Sequence, residues 1–386
     1  MSNLQRAFNI ADLRRMAQRR LPRMVFDYID GGADDECTLR ANVERFRAHR
    51  LTWRALQDVS ELSTATTVLG SPTALPLILT PTAAQRLFDP TGGEVAAARA
   101  AAAAGIIYSL SALATTSIET TAAASSGQKW FQLYVWKDRG LAREMLSRAK
   151  AAGYAAAILT VDVPVAGNRE RDLRNDFTVP PRVTARTIAQ ALACPGYLWR
   201  LWTSPTLRPE SVVHAIPTIG GGIIHFLNSQ IDHTLSWKDV EWMIDEWGGP
   251  FAIKGISTAA DAEQCVRVGA RGVWISNHGG RQLDTAPATI DVLESIVQQV
   301  GDRAEVILDG GIRRGTDIIK ALALGARAVA VGRAFLYGLA AGGEAGVARA
   351  IELLATELRR DLALLGCTDV RNIPRNCVLP PPEQSA

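Results

Sequence analysis

Short apolar runs, each closed by turn or polar residues and followed by an Ala- or Leu-rich stretch with helical spacing, recur along most of the chain. Eight stand out: Leu77–Thr80, Ile106–Leu110, Trp130–Tyr134, Ala157–Val161, Phe251–Lys254, Val273–Ser276, Val306–Asp309 and Ala328–Gly332. Between them the pattern predicts helices at Gly93–Ala104, Arg139–Ala152, Thr258–Val268, Thr289–Val300 and Gly315–Leu324. Strict alternation of strand and helix implies a parallel sheet, and eight units close a (β/α)8 TIM barrel whose chemistry sits at the C-terminal strand ends. Successive strand ends lie 22 to 33 residues apart except for one interval of 93, between the fourth and fifth strands. An insertion of roughly 60 residues, 177–237, is therefore expected there, of a length usual for lids and binding loops.

Before the barrel, residues 1–70 read as a polar, helical extension packing on it. Helices start near Ile10 and near Pro22, and Gly31-Gly32 ends the second. Residues 71–386 form the barrel.

Composition narrows the classes. With 47% hydrophobic and 21% charged residues the 386-residue chain is ordinary for a soluble globular protein, and a net charge of +3 gives no reason to expect nucleic acid. Five scattered cysteines without a CxxC pair suggest neither a zinc site nor a disulfide framework, so no metal is expected and a reducing, cytoplasmic location is. The arginine-rich first twenty residues lack a secretory signal, and no run of 18 apolar residues spans a bilayer. The insertion is basic and tryptophan-bearing, with Pro180-Pro181, Tyr197–Trp202 and Ile219–Ile224 in it. From Arg182 to Gln230 it carries four arginines and one glutamate, so it suits an anionic membrane surface as well as it suits a lid or a subunit contact.

The residues gathered at the strand ends are polar, and a rim this polar wants a ligand. They are Pro81-Thr82-Ala83, Ser111, Gln132 and Tyr134, Thr160 and Asp162, Lys254, then Ser276 to Asp284 with His278 and Arg281, Asp309-Gly310-Gly311-Ile312-Arg313, and Gly332-Arg333. Histidine exchanges a proton near neutral pH and arginine offers a planar fork for an anion, so His278 and Arg281 on one glycine-softened loop suit an acidic substrate with a removable proton. Glycines followed by arginines at the last two strand ends suit a phosphate. Lys254 would stabilise negative charge on a ring, with Ser111, Gln132 and Thr160 offering hydrogen bonds to its edge.

These ordered motifs, from Leu21–Tyr28 through Phe131-Gln132-Leu133-Tyr134, Leu159–Asp162, Ile253-Lys254-Gly255, Ser276–Asp284 and Asp309–Gly315 to Gly332-Arg333, resemble the FMN-dependent L-2-hydroxy-acid oxidising family, which includes glycolate oxidases, lactate oxidases and dehydrogenases, and mandelate dehydrogenases. The resemblance implies FMN as cofactor. It implies that His278 is the base, Asp162 orients it, Arg281 and Arg169 hold the substrate carboxylate, and Tyr28 and Tyr134 line the pocket. Cofactor contacts are expected from Pro81, Thr82, Ala83, Ser111, Gln132, Thr160, Lys254, Ser276, Asp309, Gly310, Gly311, Arg313, Gly332 and Arg333.

Arg169–Leu173 and the basic insertion look most like the membrane-associated mandelate dehydrogenases, which would put the protein at the inner face of the cell membrane. Leu113 stands where plant-type glycolate oxidases carry tryptophan, so the substrate pocket is expected to differ from theirs. A mandelate- or lactate-like acid as substrate, a quinone, another carrier or oxygen as electron acceptor, and a homo-oligomer, specifically a tetramer, are the expected partners. The rival readings are another FMN or nucleotide barrel, of the isomerase or inosine-monophosphate-dehydrogenase type, and a non-catalytic flavin-binding protein.

Overall fold

A computed structural model describes residues 3–134, 136–177, 184–210 and 232–379. Eight strands form a closed, all-parallel barrel: β1 (Leu77–Leu79), β2 (Ile107–Ser111), β3 (Lys129–Leu133), β4 (Ala156–Thr160), β5 (Phe251–Ile256), β6 (Gly272–Ile275), β7 (Glu305–Asp309) and β8 (Ala328–Val331). All eight apolar runs became strands, shifted by a residue or two. Their near-continuous apolar character follows from burial on both faces, by helices outside and by side chains within. Pairing runs from β1 through β8 and back to β1, where Val331 lies opposite Leu79.

Ile78, Ile107, Trp130, Ile158, Ala252, Trp274, Ile307 and Ala328 fill the lower barrel, with the two indoles edge-on at 6.4 Å. A hairpin of Thr66–Val68 and Ser71–Thr73, which the helical reading of the extension lacked, closes the lower mouth. Val68 and Leu69 join the same apolar layer, the Trp130 indole donates to Ser71 Oγ at 3.0 Å, and Leu69 N donates to Glu305 at 2.8 Å. The hairpin straddles residue 70, so the chain passes from extension to barrel through this plug.

Helices Ile10–Arg20, Arg23–Asp30 and Cys37–Ala48 make up most of the extension. Asn9 caps the first by accepting from Asp12 N, and Pro22 precedes the second, where its missing N–H costs nothing. The extension covers the upper, C-terminal mouth. Ala33 N donates to Gly280 O, and Asp284 accepts from the backbone of Cys37 and Thr38 at the start of the third helix. Arg50–Leu51 then pairs antiparallel with Val378–Leu379.

Of the insertion, the described part holds helices Ala185–Leu192 and Pro195–Thr203; Pro180-Pro181 and Ile219–Ile224 lie outside the described residues. These helices sit on the upper face. Tyr197 donates to Leu87 O at 2.9 Å, Gln190 accepts from Met24 N at 2.9 Å, and Arg86 donates to Pro205 O.

Trp130 lies at the mouth opposite the polar strand ends, so it separates stability from chemistry. Trp130→Ala should destabilise the protein by about 3–5 kcal/mol, as deletion of a buried aromatic side chain does, measured as a lowered denaturation midpoint with bound cofactor retained in the folded protein.

Candidate active site

The C-terminal strand ends and their loops enclose a cavity of about 620 Å³. Its wall includes Tyr28, Pro81, Thr82, Ala83, Leu113, Tyr134, Arg169, Lys254, His278, Arg281, Asp309, Gly310, Gly311, Arg313, Gly332 and Arg333, so residues from both ends of the sequence meet at one space.

Lys254, the fourth residue of β5, projects into the barrel axis. It is buried, donates to Ser276 Oγ at 2.8 Å, and lies 3.4 Å from Asp309 and 3.9 Å from Asp162. Burial opposes its charge, but Asp309 and Asp162 outweigh burial and raise its pKa. Asp309 also accepts from Ser276 Oγ at 2.8 Å and from the Trp274 indole at 3.0 Å.

Asp162 carries this chain outward. Its Oδ1 lies 2.9 Å from His278 Nδ1. Burial works against its ionisation, yet His278 and Lys254 hold its carboxyl below the usual range. His278 is pushed down by burial, which exceeds the upward pull of Asp162. In its neutral form the imidazole directs Nδ1–H at the carboxylate and leaves Nε2 as the acceptor. The backbone is left-handed at three successive residues, with φ of 56° at His278, 67° at Gly279 and 73° at Gly280. A non-glycine residue in this region costs roughly 1–2 kcal/mol, and His278 is held there in part by its own N–H, which donates to Ser276 Oγ at 3.1 Å.

The arginines divide unexpectedly. Arg281 Nη1 donates to Tyr28 O at 2.6 Å and to Gly31 O at 3.2 Å, and its guanidinium lies 4.9 Å over the Tyr28 ring, leaving its other nitrogens for the cavity. Arg333 was expected to face a phosphate, but all three of its nitrogens donate to backbone carbonyls of Ile29, Gly279 and Gly31. It ties the extension to the β6 loop. Arg169 comes from the loop before the short helix Glu170–Arg174; its buried Nε has no partner and faces a need for an anion. Burial, then the charge of Arg169, lowers the Arg281 pKa, as expected of two cations sharing a site.

Ser111, Gln132, Thr160 and Ser276, expected as cofactor contacts, are buried but do not line the cavity. They lie beneath the wall: Ser111 donates to Gln132 Oε1 at 3.0 Å, and Ser276 belongs to the Lys254–Asp309 cluster. Several wall residues went unanticipated. Tyr28 stacks on Phe177 at 4.6 Å and lies 6.1 Å from Phe88, and Arg208 and Pro209 reach the wall from the insertion. Phe177 had been assigned to the insertion. Asp172 also lines the cavity; burial raises its carboxyl, with Arg281 and Arg169 opposing. Its place in the helix that Arg169 precedes sets it beside that residue, with Asp172 N donating to Arg169 O at 3.0 Å.

The phosphorylated cofactor expected from the sequence fits the far wall. Gly310 and Gly311 are left-handed at φ of 94° and 90°, and Gly332 precedes the helix that starts at Arg333 and breaks at Gly342-Gly343, whose first turn has no side-chain cap. Free N–H groups at a helix start beside glycine backbone and Arg313 form a ready phosphate cradle. Among the described residues no group of three or more metal-ligating side chains occurs.

Comparison with known proteins agrees. The model of a family described as FMN-dependent dehydrogenase matches residues 17–380. A putative L-lactate dehydrogenase of Mycobacterium tuberculosis is 46% identical over 94% of this chain and 86% of its own length. An L-lactate oxidase of Nostoc sp. is 44% identical over 97% and 98%. The crystal structure of a monotopic membrane protein, (S)-mandelate dehydrogenase, superposes with a TM-score of 0.91 at 38% identity, covering 97% of this chain and all (100%) of that one. These matches lend no support to the isomerase, inosine-monophosphate-dehydrogenase or non-catalytic readings. With its barrel, its cavity and nearly its whole length accounted for, the chain belongs to the FMN-dependent dehydrogenase family, whose members act on 2-hydroxy acids.

Proposed function

We propose that the protein oxidises an L-2-hydroxy acid, mandelate- or lactate-like, to the 2-keto acid. What carries this reading is one cavity whose wall holds His278, backed by Asp162 at 2.9 Å, together with the two under-used guanidiniums of Arg281 and Arg169. Gly310, Gly311, Arg313, Gly332 and the backbone of Arg333 would hold the phosphate of FMN, with Pro81, Thr82, Ala83 and Lys254 along its ring. When bound, FMN supplies the acceptor for two electrons.

Arg281 and Arg169 hold the substrate carboxylate by charge-assisted hydrogen bonds and orient the carbon that is oxidised. His278 Nε2 takes the hydroxyl proton. Asp162 keeps the imidazole in the right tautomer and stabilises the cation that forms, while Lys254 fixes a positive charge beside Asp162 and Asp309. Tyr134, half-buried and near the charge of Asp162, and Tyr28 bound the substrate space. The Tyr28–Phe177 stack, Phe88 and Leu113 offer an apolar wall next to the arginines, which favours an acid with an apolar substituent over glycolate.

Peripheral membrane contact belongs to the same proposal. No described helix is long and apolar enough to cross a membrane. The helices of the insertion, however, expose Ile188 (47%), Leu192 (66%), Trp199 (63%) and Trp202 (79%). Exposed tryptophans near arginines suit an interfacial position and bring the cavity mouth close to a lipid-soluble quinone as acceptor. A tetramer is proposed on the family resemblance.

Mixing the purified yellow protein anaerobically with lactate, mandelate and glycolate, then admitting oxygen or a quinone, tests the reading; absence of bleaching by all three acids would sink it. His278→Ala should retain flavin and slow its reduction by substrate about 10²–10⁴-fold, the usual worth of a general base; an ordinary rate in anaerobic stopped flow would remove His278 from its role. Because the base acts only when neutral and its pKa lies below the ordinary 6.5, kcat/KM should be full above that pH and fall off on an acid limb centred below it. Trp199→Ser with Trp202→Ser should reduce co-sedimentation with anionic vesicles and leave turnover of soluble substrate unchanged; equal sedimentation of both proteins would end the membrane proposal.

A further inference from the structure

The three groups assigned above to the substrate, and the Asp162 that orients one of them, lie on two irregular loops. Asp162 and Arg169 are on the loop after β4, and His278 and Arg281 are on the loop after β6. Their function requires the two loops to keep one relative placement, since an error of about 1 Å in such groups costs on the order of 100-fold in rate. Few backbone bonds hold the β4 loop: Val161 N donates to Lys254 O at its start, and Asn168 O accepts from Asp34 N near its end.

Between those points His233 Nδ1 lies 2.6 Å from Pro164 O and His278 Nδ1 lies 2.9 Å from Asp162 Oδ1, but the fullest set of bonds comes from one side chain. The amide of Gln282, next to Arg281, donates from Nε2 to Asp162 O at 3.0 Å and to Val165 O at 2.8 Å. Its Oε1 accepts from Gly167 N at 3.2 Å and, at a longer 3.5 Å, from Arg169 Nη2. Both donors and both acceptor positions of the amide are used, and only one orientation satisfies two carbonyls and two N–H groups at once.

The backbones touch beside it. A Cβ at Gly167 would collide with Arg281 O and come within 2.8 Å of Gln282 Cα, so the crossing admits only glycine. On the other side of Gln282 lies a second, mainly apolar cavity of about 510 Å³, bounded by Asp162, Val165, Ile256, Ile275 and Leu283. It leaves the β4 loop room to shift.

We propose that Gln282 is a positioning residue that locks the β4 loop to the β6 loop, so that Asp162 stays on His278 and Arg169 stays opposite Arg281. This rests on the function proposed above. Gln282 acts through Asp162 and Arg169 and does not itself touch the substrate.

The test compares wild-type and Gln282→Leu holoenzymes. With Asp162 loosened, its upward pull on the imidazole weakens, so the acid limb of the kcat/KM profile should move to lower pH. With Arg169 loosened, oxalate, read by perturbation of the flavin spectrum, should bind at least 10-fold more weakly. The rate of flavin reduction should fall 10- to 100-fold, with flavin content retained. A lower rate with an unmoved acid limb and unchanged oxalate affinity would mean a merely structural role and overturn the proposal. If Gln282→Leu does not fold, Gln282→Met keeps the length while removing both hydrogen-bonding groups and adding no charge, and it is read by the same criteria. Should the wild-type protein reduce flavin with no 2-hydroxy acid, the proposed function fails. The Gln282 lock is then still decided by the imidazole titration of His278 followed by NMR in the two proteins, an unchanged midpoint refuting it.

Discussion

A buried ammonium organises the upper barrel. Lys254 sits where four strands converge, with Ser276 from the end of β6, Asp309 from β7 and Asp162 from the end of β4 around it. A buried charge is tolerated only when paired and hydrogen-bonded, and removal of one partner leaves the others uncompensated at a cost of about 3–5 kcal/mol. The cluster therefore constrains its members together. Asp162 remains ionised because Lys254 lies behind it and His278 in front, and the imidazole takes its orientation from Asp162.

The N-terminal extension completes the site from above. Gly31 O is held by both Arg281 and Arg333, and the Ala33 N–H is bonded to Gly280 O, so the left-handed turn His278-Gly279-Gly280 is clasped between barrel and extension. The close approach depends on glycine: a Cβ on Gly32 would come within 2.7 Å of Gly280 O. Arg281 thus joins two tasks, anchoring the extension with one nitrogen while the rest of its guanidinium faces the cavity.

Placement of the insertion against the same mouth gives the substrate space an apolar side. Phe177 at its start stacks on Tyr28, and Pro209 closes part of the wall, so the segment that exposes Trp199 and Trp202 is continuous with the one that shapes the cavity. A surface that rests on lipid and a pocket that admits the acid would then be two faces of one structure.

The barrel itself was legible in the chain, because a strand buried on both faces must be apolar along its length and each must be followed by a helix that returns the chain to the lower mouth. So was the gathering of His278, Arg281, Lys254 and Asp162, since parallel strands deliver their ends to one face. The destination of each side chain was not. Arg333 and Arg281 share a residue type and a rim position, yet one is absorbed by three carbonyls and the other faces the cavity; Ser276 and Gln132 sit below the wall; Asp172 and Phe177 arrive at it from a short helix and an insertion. The lower hairpin escaped notice because its strands are only three residues each and polar enough to pass as a loop. Local pattern reports which residues are buried and at which end of a strand they lie. Which hydrogen bonds a guanidinium or an amide makes depends on backbone carbonyls up to 342 residues away in sequence, as for Arg349 and Ala7, and only the folded chain brings them within reach.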